Sequence, residues 1–338
     1  MKYSQKRSQR TSKIAAVLLL CLALTFLISL NTGLIQIAPI DVFRLLIGSG
    51  SEQNAVILFD FRLPRMVIAL LIGAGIGISG AILQGISRNE LADPGILGIN
   101  AGAGFAVILF IFYFQGNAAS AGAAIWVLPL FAMLGALLAG ACTYLFAWKG
   151  GVSPTRLVLS GIGVNAAFAA LIIVFQLKMD PKNFSQAIVW LSGSIWGTNW
   201  AYVLAVFPWI LILIPYTIYK SRYLNVLYLG DELAKALGVR IEKERRKLLI
   251  TSVLLAGTCV AVGGGIAFLG LVAPHLARRL AGPRHEHFLP VTALIGALLL
   301  LAADVIGRVI LMPTEVPVGL VVSALGAPYF IYLLIKMD

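Results

Sequence analysis

His275, His285 and His287 are the only histidines in a chain of 338 residues. Imidazole moves protons near neutral pH and ligates metals, and His285-Glu286-His287 sets two rings around a carboxylate. The triplet lies in a polar stretch between apolar runs with no cysteine near it, so solvated loop histidines are expected, and His275 reads as a polar anchor. Cys21, Cys142 and Cys259 each stand alone in an apolar run, without a CxxC pair. Neither a disulfide framework nor a thiolate metal site follows. Gly75, Gly77 and Gly80 fit G-x-G-x-x-G, but a nucleotide turn needs a strand before it. Here Gly73, Gly77 and Ala81 recur every four residues in an apolar run, a packing stripe of small residues. No Gly-Lys pair occurs anywhere, so a P-loop is absent. The reading is not an enzyme: no catalytic cluster, no metal, no cofactor bound by the chain.

Charge beside apolar runs is the other source of chemistry. Asp304 and Arg308 stand four residues apart, a spacing that allows an ion pair on one helix face. At membrane depth such groups face a bundle interior or a water-filled cavity; a structural pair at the interface is the alternative. Arg62 and Arg65 flank Pro64 in "RLPR", where the proline is expected to set a helix start. With Arg308 they would make a cationic ring suited to an acidic partner or an anionic ligand. The densest charge is in "GDELAKALGVRIEKERRK", with ten charged residues from Asp231 to Lys247. Asp231 is expected to N-cap a short helix, Glu232 to favour its first turn, and Gly238 to end it. Leu229, Leu233 and Leu237 recur every four residues beside Ala236, a narrow apolar stripe on about 10 Å of helix. A helix on a lipid surface is one reading. The acidic start favours the groove of a cytosolic protein instead. Arg240 to Lys247 reads as a lipid-headgroup anchor.

The elements that carry these groups are apolar. Hydrophobic residues make up 60% of the chain and charged residues 12%, with a mean hydropathy of +0.94. Soluble domains are nearer half apolar and a quarter charged. Apolar runs long enough for a ~30 Å hydrocarbon core recur, at about 14–30, 65–86, 95–114, 122–147, 157–177, 200–219, 248–266, 267–281, 288–310 and 317–335. The eighth is short and contains Pro274, which suggests a broken or re-entrant segment. A further short helix near 184–191 is expected on the outer face. The first run follows "MKYSQKRSQRTSK" and reads as an uncleaved span, since no small-x-small site follows it.

With the N-terminus inside, twenty of the 26 lysines and arginines fall on the inner side. Arg44, Arg62, Arg65, Lys178, Lys182 and Arg308 fall outside. The positive-inside rule supports this orientation, with both termini cytoplasmic, and it accounts for the net charge of +12 without nucleic acid. A single multi-pass domain over 1–338 is expected, with a cytoplasmic tail at 1–13 and a cytoplasmic coupling region at 221–247. The echo between "RMVIALLIGAGIGISGAILQ" and "RKLLITSVLLAGTCVAVGGGIAFLG" hints at repeated halves. Between the second and third runs, "QGISRNELADPGILGINAGAG" is a polar turn in which Asp93-Pro94 favours a helix start. Its glycines and Asn100 continue into the third run. Irregular backbone at that depth is tolerated where it is buried in protein or lines a cavity.

Four segments together resemble the FecCD family of permease subunits of ATP-binding-cassette importers for ferric siderophores, haem and cobalamin. They are "RLPRMVIALLIGAGIGISGAILQGISRNELADPGILGINAGAG", "YLGDELAKALGV", "GGGIAFLGLVAPHLARRLAG" and "EVPVGLVVSALGAPYFIYLL". The resemblance implies an all-α polytopic membrane protein of the type II ABC importer fold, with about ten transmembrane helices, in a bacterial inner or plasma membrane. It implies a second permease subunit, identical or not, two cytosolic ATPases that hold the ATP and Mg²⁺, and an external substrate-binding protein. The implied cargo is an iron complex, most like a ferric siderophore. Gly230, Asp231, Glu232, Leu233, Ala236, Leu237 and Gly238 match the coupling helix that docks in an ATPase cleft. Arg62, Arg65 and Arg308 match arginines that meet glutamates of the binding protein. Asn89, Leu91, Pro154 and Thr155 match the cytoplasmic gate of the cobalamin member. The chain departs from the pattern at Glu90, where the family usually has proline, and at Pro154, where it has a small hydroxyl residue. The competing class is an ion-coupled secondary transporter of a small solute, for which Asp304 is the best titratable candidate.

Overall fold

The long helices meet where side chains are missing. Gly73 and Gly296 face each other so closely that a Cβ on either would overlap the other's backbone, and Gly80 stands the same way against the Gly270 carbonyl. The glycines of "GIGISG" lie in mid-helix, which is the packing use of small residues between membrane helices.

The computed structural model describes residues 2–33, 38–48, 50–114 and 121–336. Met1, first residue of the expected tail, and the connection at 115–120 lie outside them. The order is α1 (Lys2–Asn31), α2 (Pro39–Leu46), α3 (Glu52–Val56), a π segment (Ile57–Arg62), α4 (Leu63–Ser87), α5 (Ile99–Phe114), α6 (Ala121–Ala147) and α7 (Pro154–Gln176). Then follow α8 (Pro181–Leu191), α9 (Trp200–Tyr219), α10 (Ser221–Tyr228), α11 (Asp231–Ala236), α12 (Ile241–Gly263), α13 (Leu269–Ala281), α14 (His285–Val309) and α15 (Val318–Lys336). Among the described residues there is no strand, only an isolated bridge between Trp148 and Val152. The chain is an all-α, multi-pass membrane protein. α4 is its axis, with α14, α12, α13 and α9 packed around it; α5, α6 and α7 form a second group that joins through α12, and α1 lies along α14.

Eight of the described helices are long and apolar enough to cross a membrane, and α5 is a shorter apolar helix. The expected eighth span is short, in keeping with the broken or re-entrant segment that Pro274 suggested. α13 has 13 residues, about 20 Å, less than the ~30 Å core. Before it the backbone at 264–267 is non-helical, with Gly264 and Ile266 buried. There Gly265 N donates to Trp190 O at 3.4 Å, and Ile266 O accepts from Asn100 Nδ2 at 3.3 Å.

One expected helix start holds and one is corrected. Pro64 stands in the first turn of α4, as expected, although helical backbone of α and π type already runs up to it from Glu52. The wide π turn absorbs the proline, with Leu63 N reaching back to Leu58 O; it eases the clash a proline ring makes with the carbonyl four residues earlier. Asp93-Pro94 does not open α5, because turns fill 94–98 and the helix begins at Ile99. The expected outer helix is present as α8, capped by Asp180, whose carboxylate accepts from the N–H groups of Lys182 and Asn183 at 3.0 Å.

Candidate functional site

Polar residues gather at the two ends of the bundle. At one end α4, α14 and the segment before α15 bring the three candidate arginines together. Arg65 donates from Nε to Asp304 Oδ1 at 2.8 Å and from Nη1 to Glu315 Oε2 at 2.8 Å. Arg308 Nη2 lies 3.0 Å from Asp304 Oδ2, and its Nη1 reaches Thr32 O at 3.0 Å. Arg62 donates to Leu30 O. All three border one pocket of about 330 Å³ that also takes in Trp196, Thr198 and Glu315. The helix spacing gave the Asp304–Arg308 pair. Arg65 and Glu315 had no such signal, being 239 and 250 residues from their partners. Asp304 is thus buried between two guanidinium groups.

The other end collects Arg88, Lys149 and the stretch from Lys220 to Lys247, and is the basic end. α11 stands there, and its stop is a Schellman turn: Gly238 N bonds Lys235 O at 2.9 Å and Val239 N bonds Ala234 O at 3.0 Å. Gly238 supplies the left-handed φ of 78° that this turn requires. The start differs from expectation. Gly230 holds the cap position, at φ 116°, and Asp231 is the first helical residue with no cap bond. Its carboxylate is taken by two arginines instead. Arg88, at the end of α4, pairs with Asp231 Oδ1. Arg245, in α12, reaches the same oxygen at 2.8 Å.

Arg245 corrects the headgroup-anchor reading of Arg240 to Lys247. It is only 2% exposed and donates to Val152 O at 2.5 Å as well as to Asp231. Glu244 is buried against Lys220 at 2.7 Å. These groups belong to the dry side of α12. His285 is likewise no solvated loop residue. It is buried, with Nδ1 2.7 Å from Asn225 Oδ1.

The four gate candidates sit on two loops at this basic end. Asn89 Oδ1 accepts from Leu91 N at 2.9 Å. Glu90, beside them, pairs with Arg278 of α13. Ser153 caps α7 through Arg156 N at 3.2 Å, with Pro154 in the first turn and Thr155 exposed after it. No direct bond joins the two loops among the contacts at these residues. They are linked through α11: Arg88 connects Asp231 to the first, and Arg245 connects Asp231 to Val152 of the second.

Around this clasp α11 turns its apolar stripe outward. Leu229, Leu233 and Leu237 are 59%, 55% and 64% exposed, with Glu232, Lys235 and Ala236 exposed among them. Three leucines in a row at the polar end of a membrane protein make an interaction surface.

Long apolar helices around a buried glycine-packed axis, with one such surface and an arginine cluster at opposite ends, define a membrane transport permease. The chain belongs to the FecCD transport family, whose model matches residues 21–336. It is 57% identical over 326 residues to the iron(3+)-hydroxamate import system permease protein FhuG of Bacillus subtilis (strain 168), covering 96% of this chain and 97% of that one. With the Fe(3+) dicitrate transport system permease protein FecD of Escherichia coli (strain K12) it shares 37% identity over 328 residues, 96% of this chain and 99% of that one. Among solved structures, a metal-chelate type ABC transporter in an inward-facing conformation superposes with a TM-score of 0.83 at 33% identity, over 96% of this chain and 100% of the other.

Proposed function

We propose that the chain is the membrane-spanning subunit of an ATP-driven importer that carries an iron complex, a ferric siderophore of the hydroxamate class foremost, into the cytoplasm. The observation that carries this reading is the exposed leucine stripe on a helix clasped to two transmembrane helices. A subunit without a P-loop needs a motor, and this surface suits a groove in a cytosolic ATPase. The docking set is Gly230, Asp231, Glu232, Leu233, Ala236, Leu237 and Gly238. ATP and Mg²⁺ belong to two copies of that partner; the chain itself binds no cofactor and makes or breaks no bond in the cargo. The basic end is then cytoplasmic, with both termini, in a bacterial cell membrane. A second permease subunit completes the pathway.

Arg62, Arg65 and Arg308 receive acidic residues of an external binding protein. Since Asp304 and Glu315 already hold Arg65, an incoming carboxylate competes with them. Asn89, Leu91, Pro154 and Thr155 form the cytoplasmic gate, and motion of α11 reaches both gate loops through Arg88 and Arg245. Differential contacts in the outward and inward states drive the switch. The 57% identity to a hydroxamate permease supports the cargo class. The direct test replaces Leu233 and Leu237 with Asp, in a stripe where the side chains are exposed and the fold does not depend on them. The expected result is loss of the ATPase from a pull-down, with the permease still inserted in the membrane. Stoichiometric recovery of the ATPase would remove α11 from the dock.

A further inference from the structure

Arg245 and Arg246 are neighbours in sequence and opposites in environment. Arg245 is buried among Asp231, Val152 and Glu242. Arg246 is exposed on the other face of α12, and no hydrogen bond or ion pair engages it among the described residues. It stands at the mouth of a groove of about 420 Å³ between α6 and α12, whose walls include Leu137, Ala141, Tyr144, Leu249 and Val253. From Arg246 to Val253 and from Tyr144 to Leu137 the groove runs seven residues along each helix, about 10 Å into the membrane. Gly140 forms its floor, since a Cβ there would meet Val253 Cγ1 at 2.8 Å. The Trp148 ring lies 5.6 Å from that of Tyr144, an aromatic pair of the kind that marks the headgroup level. A second apolar groove, between α6 and α7 around Cys142 and Phe168, has no cation on its rim.

We propose that the α6–α12 groove binds an anionic phospholipid from the leaflet at the basic end, one acyl chain lying along the groove and the phosphate on Arg246. Acyl chains are the solvent at this depth, so an apolar groove there fills without further design. The unpaired guanidinium is the selective element: it offers two parallel donors to phosphate oxygens in a setting of low dielectric. Glu242, the nearest acid on this turn of α12, is spent on Arg245 at 3.3 Å and on Val152 N at 3.3 Å. A phosphate at Arg246 therefore meets an acid already neutralised. A basic residue at an anionic membrane surface contributes about 1 kcal/mol, a roughly fivefold preference for the charged lipid.

The test uses the assembled transporter with the full-length chain, in nanodiscs of equal phosphatidylglycerol and phosphatidylcholine of one acyl length, read by native mass spectrometry. Wild type is expected to retain phosphatidylglycerol about fivefold over phosphatidylcholine. Arg246→Gln should bring the ratio close to one, and Arg246→Lys, which keeps the charge without the paired donors, should keep only part of it. Ala141→Phe, which fills the groove, should lower the bound-lipid count by one whatever the headgroup. An unchanged ratio in Arg246→Gln, equal retention of both lipids by wild type, or a protein segment filling the groove in place of lipid would each overturn the proposal.

Discussion

Asp304 is shared by Arg65 and Arg308, and Arg65 is shared by Asp304 and Glu315. Any acidic residue that docks on Arg65 has to compete for it. The two neutral variants should therefore act in opposite directions on binding-protein affinity. Arg65→Gln weakens it about tenfold at low ionic strength, and Glu315→Gln strengthens it a fewfold by releasing Arg65. Both effects shrink at high salt, where exposed charges are screened beyond about 3 Å. Titrating a labelled binding protein against reconstituted transporter measures this, and salt-independent effects of equal sign would contradict the role. Asp93 makes a separate prediction. It lies in the loop between α4 and α5, and burial pushes its carboxyl up to about 6 despite a hydrogen bond from Gly95 N. The unfolded chain keeps an ordinary value near 3.9. The folded state then holds the extra proton between those two values, so stability falls as pH rises from about 4 to about 6 and is level above. Asp93→Asn keeps the acceptor and removes the charge. Its melting temperature should exceed wild type at about pH 7.5, by at most the equivalent of about 3 kcal/mol, and approach wild type at about pH 4. A difference that ignores pH would contradict the assignment.

At the scale of elements, α11 is held by a carboxylate that clasps α4 and α12. Its end was legible, since glycine after a short amphipathic run is a local stop signal and the Schellman bonds involve neighbours alone. Its beginning was not. Asp231 has the composition of an N-cap, but Arg88 and Arg245 lie 143 and 14 residues away and claim the same oxygen. Two arginines on one carboxylate outweigh one backbone bond. Arg88 and Asp231 should then be coupled. Arg88→Gln and Asp231→Asn, alone and together, should give a coupling energy of about 1 kcal/mol in melting experiments, a modest value because both groups are partly exposed. Strict additivity would show that the pair is incidental. The same competition explains Arg245. Charge density alone reads as a lipid anchor, whereas helical phase sends Arg245 inward and Arg246 outward.

At the scale of the whole molecule, hydropathy and charge asymmetry laid out most of the bundle, because span length and the cost of unpaired backbone in lipid leave few options. α9, at Trp200–Tyr219, matches its expected run, and the small-residue stripe of α4 packs as its spacing implied. What periodicity did not register depends on partners far along the chain: the non-helical stretch at 264–267, which bonds Trp190 and Asn100, and the two carboxylates that hold Arg65. The site roles proposed for both ends came from resemblance to a family; the structure joins α11 to the two loops that carry the gate candidates through Arg88 and Arg245. The measurement that bears most directly on the central claim is uptake of a radioactive ferric hydroxamate siderophore by proteoliposomes holding the permease, its ATPase and its binding protein. Uptake should require ATP and stop when the ATPase carries a substitution in its P-loop lysine, whatever proton gradient is imposed. Uptake driven by a proton gradient with that dead ATPase present would contradict the account and favour an ion-coupled carrier.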